Sequence, residues 1–130
     1  MARNFVQGTW QKNRAFSPAV ISEGGKTVYV AGHGAYRDAD GNSLAGDFAA
    51  QTHETFRLLE ATLKEAGAEL KDMVTMTVFI IDARWGDSFT DMRREIFGGD
   101  FPASAMITVT GFAQPEMMVE IQGIAVLGDR

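Results

Sequence analysis

At 130 residues, the chain has the length of a single domain covering residues 1–130, and its 45% apolar content is enough to build a hydrophobic core. The absence of cysteine excludes disulfides, thiolate nucleophiles and sulfur-bound metals, and it is typical of proteins that work in a reducing cytoplasm. The net charge of −5, with 12 Lys and Arg scattered among 17 Asp and Glu, weighs against nucleic acid as a partner.

The first half of the chain predicts one strand and one long helix. Residues 1–25 are expected to be irregular, because glycine and proline punctuate them. Lys26–Ala31 is rich in β-branched and aromatic residues and predicts a strand. Asp47 can cap a helix that runs to about Ala66, and Gly67 stands where a helix commonly ends. The apolar stripe of this helix is predicted to consist of Ala49, Thr52, Phe56, Leu59, Leu63 and Ala66.

The second half predicts a strand, a helix and two closing strands. The strand is Val74–Ile81, the helix runs from about Trp85 to Phe97, and the closing strands are Ala105–Thr110 and Met117–Leu127. Two helices can cover only one face of a sheet, yet the first and last of these strands are apolar on nearly both faces. We therefore predict an α+β fold that oligomerises through its sheet, with ligand clefts at the subunit boundaries.

Two residues could carry chemistry. Glu120 interrupts an otherwise apolar strand, so it lies either in a cleft, where it could transfer a proton, or in an ion pair with a neighbouring strand or subunit. His33 follows Gly32 at the end of the first predicted strand, where it could move a proton, bind an anion or simply hydrogen-bond within a turn. No metal site is expected, because two histidines without matching carboxylates form no ligand motif. No apolar run reaches the roughly 20 residues that cross a bilayer, so no membrane partner is expected.

Seven short segments follow one another from about residue 14 to residue 127: Phe16–Val20, Thr27–Gly32, Gly46–Thr52, Leu58–Gly67, Val74–Phe79, Phe101–Ala103 and Val119–Val126. Together they resemble the reactive-intermediate deaminase family (RidA or YjgF, older members of which are labelled L-PSP endoribonucleases). The resemblance implies a chorismate-mutase-like subunit, with one mixed sheet covered on one face by two helices, in a homotrimer. It also implies hydrolysis of small enamines or imines, such as 2-aminoacrylate, in clefts between subunits, without a metal or an organic cofactor.

The resemblance also implies roles for individual residues. Glu120 matches the glutamate that positions the attacking water, and Gly32 matches the glycine whose backbone lines the cleft. Phe16 keeps the ring of a tyrosine that is usual in the family but lacks its hydroxyl. His33 replaces a residue that is often glutamine, and Thr90 falls near a position often held by asparagine.

Ser104 is the main departure from the family. Members that deaminate have an arginine after the Pro-Ala pair, and its guanidinium binds the substrate carboxylate; losing such a contact costs on the order of 2–5 kcal/mol. Either the substrate lacks a carboxylate, or another cation binds it, and Arg14, Arg84 and His33 are the candidates. Met106 is expected to supply an apolar wall of the cleft.

Three functions are compatible with these observations. The leading one is a deaminase-type hydrolase acting on a small C–N compound. A non-catalytic binding protein of the same fold is favoured by the missing arginine. A nuclease or inhibitor of translation is suggested by the older family label, but the acidic charge and the lack of a basic patch weigh against it.

Overall fold

The computed structural model describes residues 2–128, in which two helices pack on one face of a four-stranded sheet. Two short strands, β1 (Ala2–Val6) and β2 (Ala19–Glu23), pair with each other outside this sheet. The main sheet contains β3 (Lys26–His33), β4 (Met73–Ile80), β5 (Ala103–Thr108) and β6 (Val119–Leu127). The helices are α1 (Phe48–Glu65) and α2 (Gly86–Phe97). Neither helix combines the length and the hydropathy that a membrane-spanning segment needs.

The sheet is mixed, and its strand order is β3-β6-β4-β5. β4 and β5 run parallel and are joined through α2, whereas β6 is antiparallel to both of its neighbours, β3 and β4. The predicted α+β fold is therefore confirmed. β5 lies at one edge of the sheet, where Ala103 forms an isolated bridge with Ser17.

α1 begins and ends where its capping residues predict. The Asp47 carboxylate accepts a hydrogen bond from the Ala50 amide at 3.0 Å, and Gly67, at a φ of +82°, follows the last turn. The predicted stripe is buried in its centre, but Ala49 and Ala66 are exposed. The buried face is instead made by Phe48, Gln51, Thr52, Thr55, Phe56, Leu59 and Leu63.

α2 packs beside α1 through aromatic side chains. Phe89 is fully buried and lies 5.9 Å, centroid to centroid, from the ring of Phe56. Trp85, which precedes the helix, stacks on Phe48 at 5.0 Å with an angle of 9° between the rings. These contacts fix α2 over the sheet, with one side directed at β5.

The expectation that residues 1–25 are irregular was wrong. β1 pairs with β2 from Ala2 opposite Glu23 to Val6 opposite Ala19. The Arg3 side chain then ties this pair to the body of the protein by donating to the Lys71 carbonyl at 3.1 Å. Five-residue strands held by partners far along the chain carry little local pattern, which is why the sequence did not reveal them.

The face of the sheet away from the helices is open. It carries a shallow depression of about 470 Å³, whose lining includes Tyr29, Thr75, Thr77, Gln122 and Ile124. Tyr29 is 80% exposed, although it lies in the middle of β3. A face that carries aromatic and aliphatic side chains without cover is typical of a contact surface.

Candidate active site

A pocket of about 150 Å³ lies between α2 and β5. Its lining brings together five residues that the sequence had proposed for a site and one that it had not. The five are Arg14, Phe16, Thr90, Ser104 and Met106, and the sixth is Arg93. Thr90 and Arg93 are three residues apart on α2 and therefore share the face of the helix that looks onto β5.

The segment that carries Arg14 and Phe16 is anchored to the start of β5. The Ser17 amide donates to the Pro102 carbonyl at 3.1 Å, and its hydroxyl donates to the Phe101 carbonyl at 2.6 Å. Ala15, between the two lining residues, is buried and has a φ of +58°, a left-handed conformation that alanine rarely adopts. The strained turn lets the residues on both sides of Ala15 reach the pocket.

Arg93 is the most unusual residue of the pocket, because it is a cation that is only 2% exposed. Its Nη1 donates to Ser104 Oγ at 2.7 Å, and its Nη2 donates to the Arg14 carbonyl at 3.3 Å. The guanidinium carbon lies 5.1 Å from the ring centroid of Phe89 and 5.9 Å from that of Phe16. Burial, with a smaller contribution from the nearby Arg14 charge, lowers the pKa of Arg93 to about 10, so the group is still protonated at neutral pH.

Glu120 and Gly32 meet at a second place, on the open face of the sheet. The pairing of β3 with β6 shifts between Val30 and His33, which places Gly32 in a bulge beside β6. A Cβ added to Gly32 would lie 2.2 Å from Glu120 Oε2 and 2.9 Å from its Cδ. The half-buried carboxylate therefore lies against the glycine backbone in space that any other residue would fill.

Ser104 and Glu120 lie on opposite faces of the sheet. Paired residues of neighbouring strands point to the same side. Ser104 pairs with Met76, which is fully buried under the helices. Glu120 pairs with Phe79, an odd number of residues further along β4 and hence on the other face. Within one chain, the pocket and the carboxylate cannot act on the same small molecule.

His33 and Arg84 lie in neither group. His33 Nδ1 donates to the Ala31 carbonyl at 2.7 Å, and its Nε2 lies 2.7 Å from Thr62 Oγ1, so both ring nitrogens are engaged between β3 and α1. Arg84 has a side chain that is 90% exposed and is paired with Asp82 at 2.6 Å. The hydrogen bonds from Arg84 lower the pKa of Asp82 to about 2.

The two guanidinium groups of the pocket, those of Arg14 and Arg93, are not metal ligands. Protonated guanidinium groups have no lone pair to offer a cation. Elsewhere in residues 2–128, no three His, Asp or Glu side chains come together in a way that could hold a metal ion.

The sequence did not lead us to predict Arg93 as a site residue, although its spacing from other residues of α2 points to the pocket. Arg93 follows Phe89 by four residues, so it lies on the same side of α2 as that apolar ring, where a charged residue needs an explanation. It also follows Thr90 by three, and Thr90 was already a candidate.

Comparisons with known proteins agree with this architecture. A family model described as "Endoribonuclease L-PSP" matches residues 10–127. A RutC family protein of Pyrococcus abyssi is 30% identical over 101 residues, which cover 78% of this chain and 79% of that protein. The Rid family protein YyfB of Yersinia pestis superposes with a TM-score of 0.85 at 26% identity, covering 98% of this chain and 100% of that one. A YjgF/YER057c/UK114 family member of Mycobacterium tuberculosis is 30% identical with a TM-score of 0.69, covering 97% and 100% of the two chains.

Proposed function

Because the chain belongs to the RidA/YjgF family, we propose that it is a hydrolase that deaminates a small enamine or imine. The products are a carbonyl compound and ammonia, and the reaction uses neither a metal nor an organic cofactor. Glu120 carries the proposal, because it is a half-buried carboxylate placed on an otherwise apolar strand, against a glycine whose missing side chain leaves room for the carboxylate.

The chemistry needs one group that can accept and return a proton. Glu120 takes a proton from water as the water oxygen attacks the imine carbon, which gives a carbinolamine. The same proton then passes to the nitrogen, the hydroxyl proton returns to Glu120 as the C–N bond breaks, and ammonia leaves as the carbonyl forms. An enamine first takes up a proton at carbon to become the protonated imine that the water attacks. The Gly32 backbone lines this site, and the carboxylate needs no partner other than water and substrate.

The site is completed by a second copy of the chain. The pocket at Ser104 and the carboxylate of Glu120 lie on opposite faces of one sheet. The open face carries exposed Tyr29, and the pocket lies beside the edge strand β5, so packing of copies through these surfaces brings the two parts together. A homotrimer with three such clefts is the assembly proposed here.

Substitution of Glu120 by glutamine tests the proposal. The change keeps the shape of the side chain but removes its basicity, so release of ammonia and keto acid from 2-aminoacrylate generated in situ falls by about 100-fold or more. Glu116→Gln is the matched control, since that glutamate is exposed in the loop before β6. Both variants keep the circular dichroism spectrum of the wild type. Wild-type turnover in Glu120→Gln would remove the proposed base.

A non-catalytic binding protein is the second candidate, favoured by Ser104 at the position of the family arginine. It predicts that small ligands raise the melting temperature but are recovered unchanged. RNA is a weaker candidate, because the net charge is −5 and the pocket is too small for a nucleotide. Either small-molecule function is compatible with a cytoplasmic location, for which the lack of cysteine is the support.

A further inference from the structure

Arg93 is a buried charge without an acidic partner. Among residues 2–128, no Asp or Glu side chain forms an ion pair with its guanidinium, and the charge that most affects it is another cation, Arg14. Its Nε has no hydrogen-bond acceptor, although it is buried. A buried charge ordinarily needs a partner of opposite sign, because removing it from water costs several kcal/mol. No acidic side chain among residues 2–128 offsets this desolvation cost for Arg93, which indicates that a ligand supplies the missing negative charge.

The pocket offers donors rather than acceptors. Arg93 uses two of the five N–H donors of its guanidinium in the bonds to Ser104 and to the Arg14 carbonyl, and Ser104 Oγ accepts from Arg93, which leaves the hydroxyl proton free to donate. Arg14 stands at the rim, where its Nη1 pairs with the exposed Asp87 at 2.8 Å. Arg14 is thus paired with a carboxylate that does not line the pocket, whereas Arg93 pairs with none among residues 2–128. The excess of positive charge and of donors selects an anion.

The remaining walls limit the size of that anion. Phe16 and Met106 are apolar, and the volume of about 150 Å³ is below the roughly 300 Å³ at which sites for drug-sized ligands begin. A carboxylate with a short apolar or keto substituent fits, whereas a nucleotide does not.

We propose that Arg93, together with Ser104, binds the carboxylate of a small organic acid, so that the charge absent from residue 104 is supplied by α2. None of the three cations that the sequence suggested is required for this role. On the proposed hydrolase function, the substrate is then an enamine or imine that carries a carboxylate. Of the two alternatives that Ser104 leaves open, this proposal favours the second, in which another cation binds the substrate carboxylate.

Binding without turnover tests the assignment. Pyruvate and its uncharged analogue pyruvamide are titrated into the wild-type protein, and binding is measured by calorimetry. The wild type prefers pyruvate by roughly 30-fold, the ratio expected for a charge-assisted contact. Arg93→Met abolishes the preference. Arg94→Met retains it, since Arg94 is the next residue of α2 but pairs with Asp91 at the surface.

Two further measurements guard against a variant that does not fold. The double variant Arg93→Met/Ser104→Arg returns a cation to the pocket from the strand and recovers the preference for pyruvate. In the wild type, the Nε–H resonance of Arg93 shifts as pyruvate binds. Equal affinities for pyruvate and pyruvamide, a preference that survives Arg93→Met, or an Arg93 resonance that does not move would each overturn the assignment. Because no hydrolysis is measured, a failure of the Glu120 chemistry leaves this result untouched, and the reverse also holds.

Discussion

Gly32 and Gly34, at the end of β3, both lie where a side chain does not fit, but different atoms limit the two positions. At Gly32 an added Cβ meets only the Glu120 side chain, at 2.2 Å from Oε2. At Gly34 it meets the Met117 methyl at 2.3 Å and the Val119 backbone carbonyl at 2.8 Å. A carboxylate can swing away, whereas backbone in a sheet moves only at a cost.

The two alanine variants therefore have opposite effects. Gly32→Ala displaces the Glu120 carboxylate and lowers the rate of imine hydrolysis by about tenfold or more, while the free energy of unfolding changes by less than about 1 kcal/mol. Gly34→Ala loses about 1–3 kcal/mol of stability but keeps the rate per folded molecule. Thermal melts and initial rates on the same samples separate the two outcomes. A large loss of stability in Gly32→Ala with normal activity would contradict the assignment.

Residues of the pocket could be predicted from the sequence only where a recognisable short motif surrounds them. Phe16 and Ser104 could be placed because each lies next to a recognisable Phe-Ser-Pro or Phe-Pro-Ala sequence. Arg93 carries only the weak signal of its spacing from Phe89 and Thr90, since an arginine on an amphipathic helix is usually solvated, and the packing of α2 on β5 is what shows that this one is buried. The separation of Ser104 from Glu120 was equally hidden, because it depends on strand register.

α1 is held in place by Gln51, a polar residue that the apolar periodicity of the helix does not identify as buried. Its side chain is fully buried in α1, and its amide makes three hydrogen bonds to the backbone. Nε2 donates to the Leu44 carbonyl at 3.0 Å and to the Glu116 carbonyl at 2.8 Å, while Oε1 accepts from the Met118 amide at 2.8 Å. One side chain thus fastens the loop before α1 and the loop before β6 to the helix.

Replacing this amide by an apolar group of similar size removes three hydrogen bonds, although the Leu44 carbonyl still accepts from the Asp47 amide at 3.1 Å. Gln51→Leu is therefore expected to lower the free energy of unfolding by about 2–4 kcal/mol, since buried polar groups that lose their partner each carry a penalty. Urea denaturation followed by circular dichroism measures the change. Gln114→Leu, on the exposed loop before β6, stays within about 0.5 kcal/mol of the wild type. Equal stability of both variants would show that the three contacts contribute nothing.

The elements themselves differ in how far the sequence defines them. α1 and α2 have caps or terminal glycines and a period of three to four residues, and both were located to within about a residue. β5 begins at Ala103, two residues before its expected start, and β6 begins at Val119, two residues after. Strand ends are set by the neighbouring strand rather than by the residue that occupies them.

For the molecule as a whole, the proposed hydrolysis requires assembly, because the pocket and Glu120 lie on opposite faces of the sheet of one chain. If each cleft takes its carboxylate from one copy and Arg93 from another, two inactive variants repair each other when they are mixed. Glu120→Gln and Arg93→Met subunits, unfolded together and refolded in equal amounts, place both intact groups in about a quarter of the clefts, because each copy is independently of either type.

The mixed sample then hydrolyses 2-aminoacrylate at about a quarter of the wild-type rate. Each variant refolded alone is the control and remains inactive. If the rate of the mixture does not exceed the sum of the rates of the two controls, the proposal that each cleft takes Glu120 from one copy and Arg93 from another is wrong. Light scattering on the same samples checks that both variants assemble.

The hydrogen bond between Arg93 and Ser104 has a consequence for how such proteins diverge. An arginine that lines a pocket can be carried by a strand in one protein and by the helix that packs on that strand in another, provided that the strand and the helix are in contact. Selection then preserves the charge at a point in space while the position in the chain that carries it changes. A comparison made column by column scores this as the loss of an arginine and the gain of an unrelated one. For this protein, the charge proposed to bind a substrate carboxylate comes from α2 at Arg93, and Ser104 on β5 accepts a hydrogen bond from it.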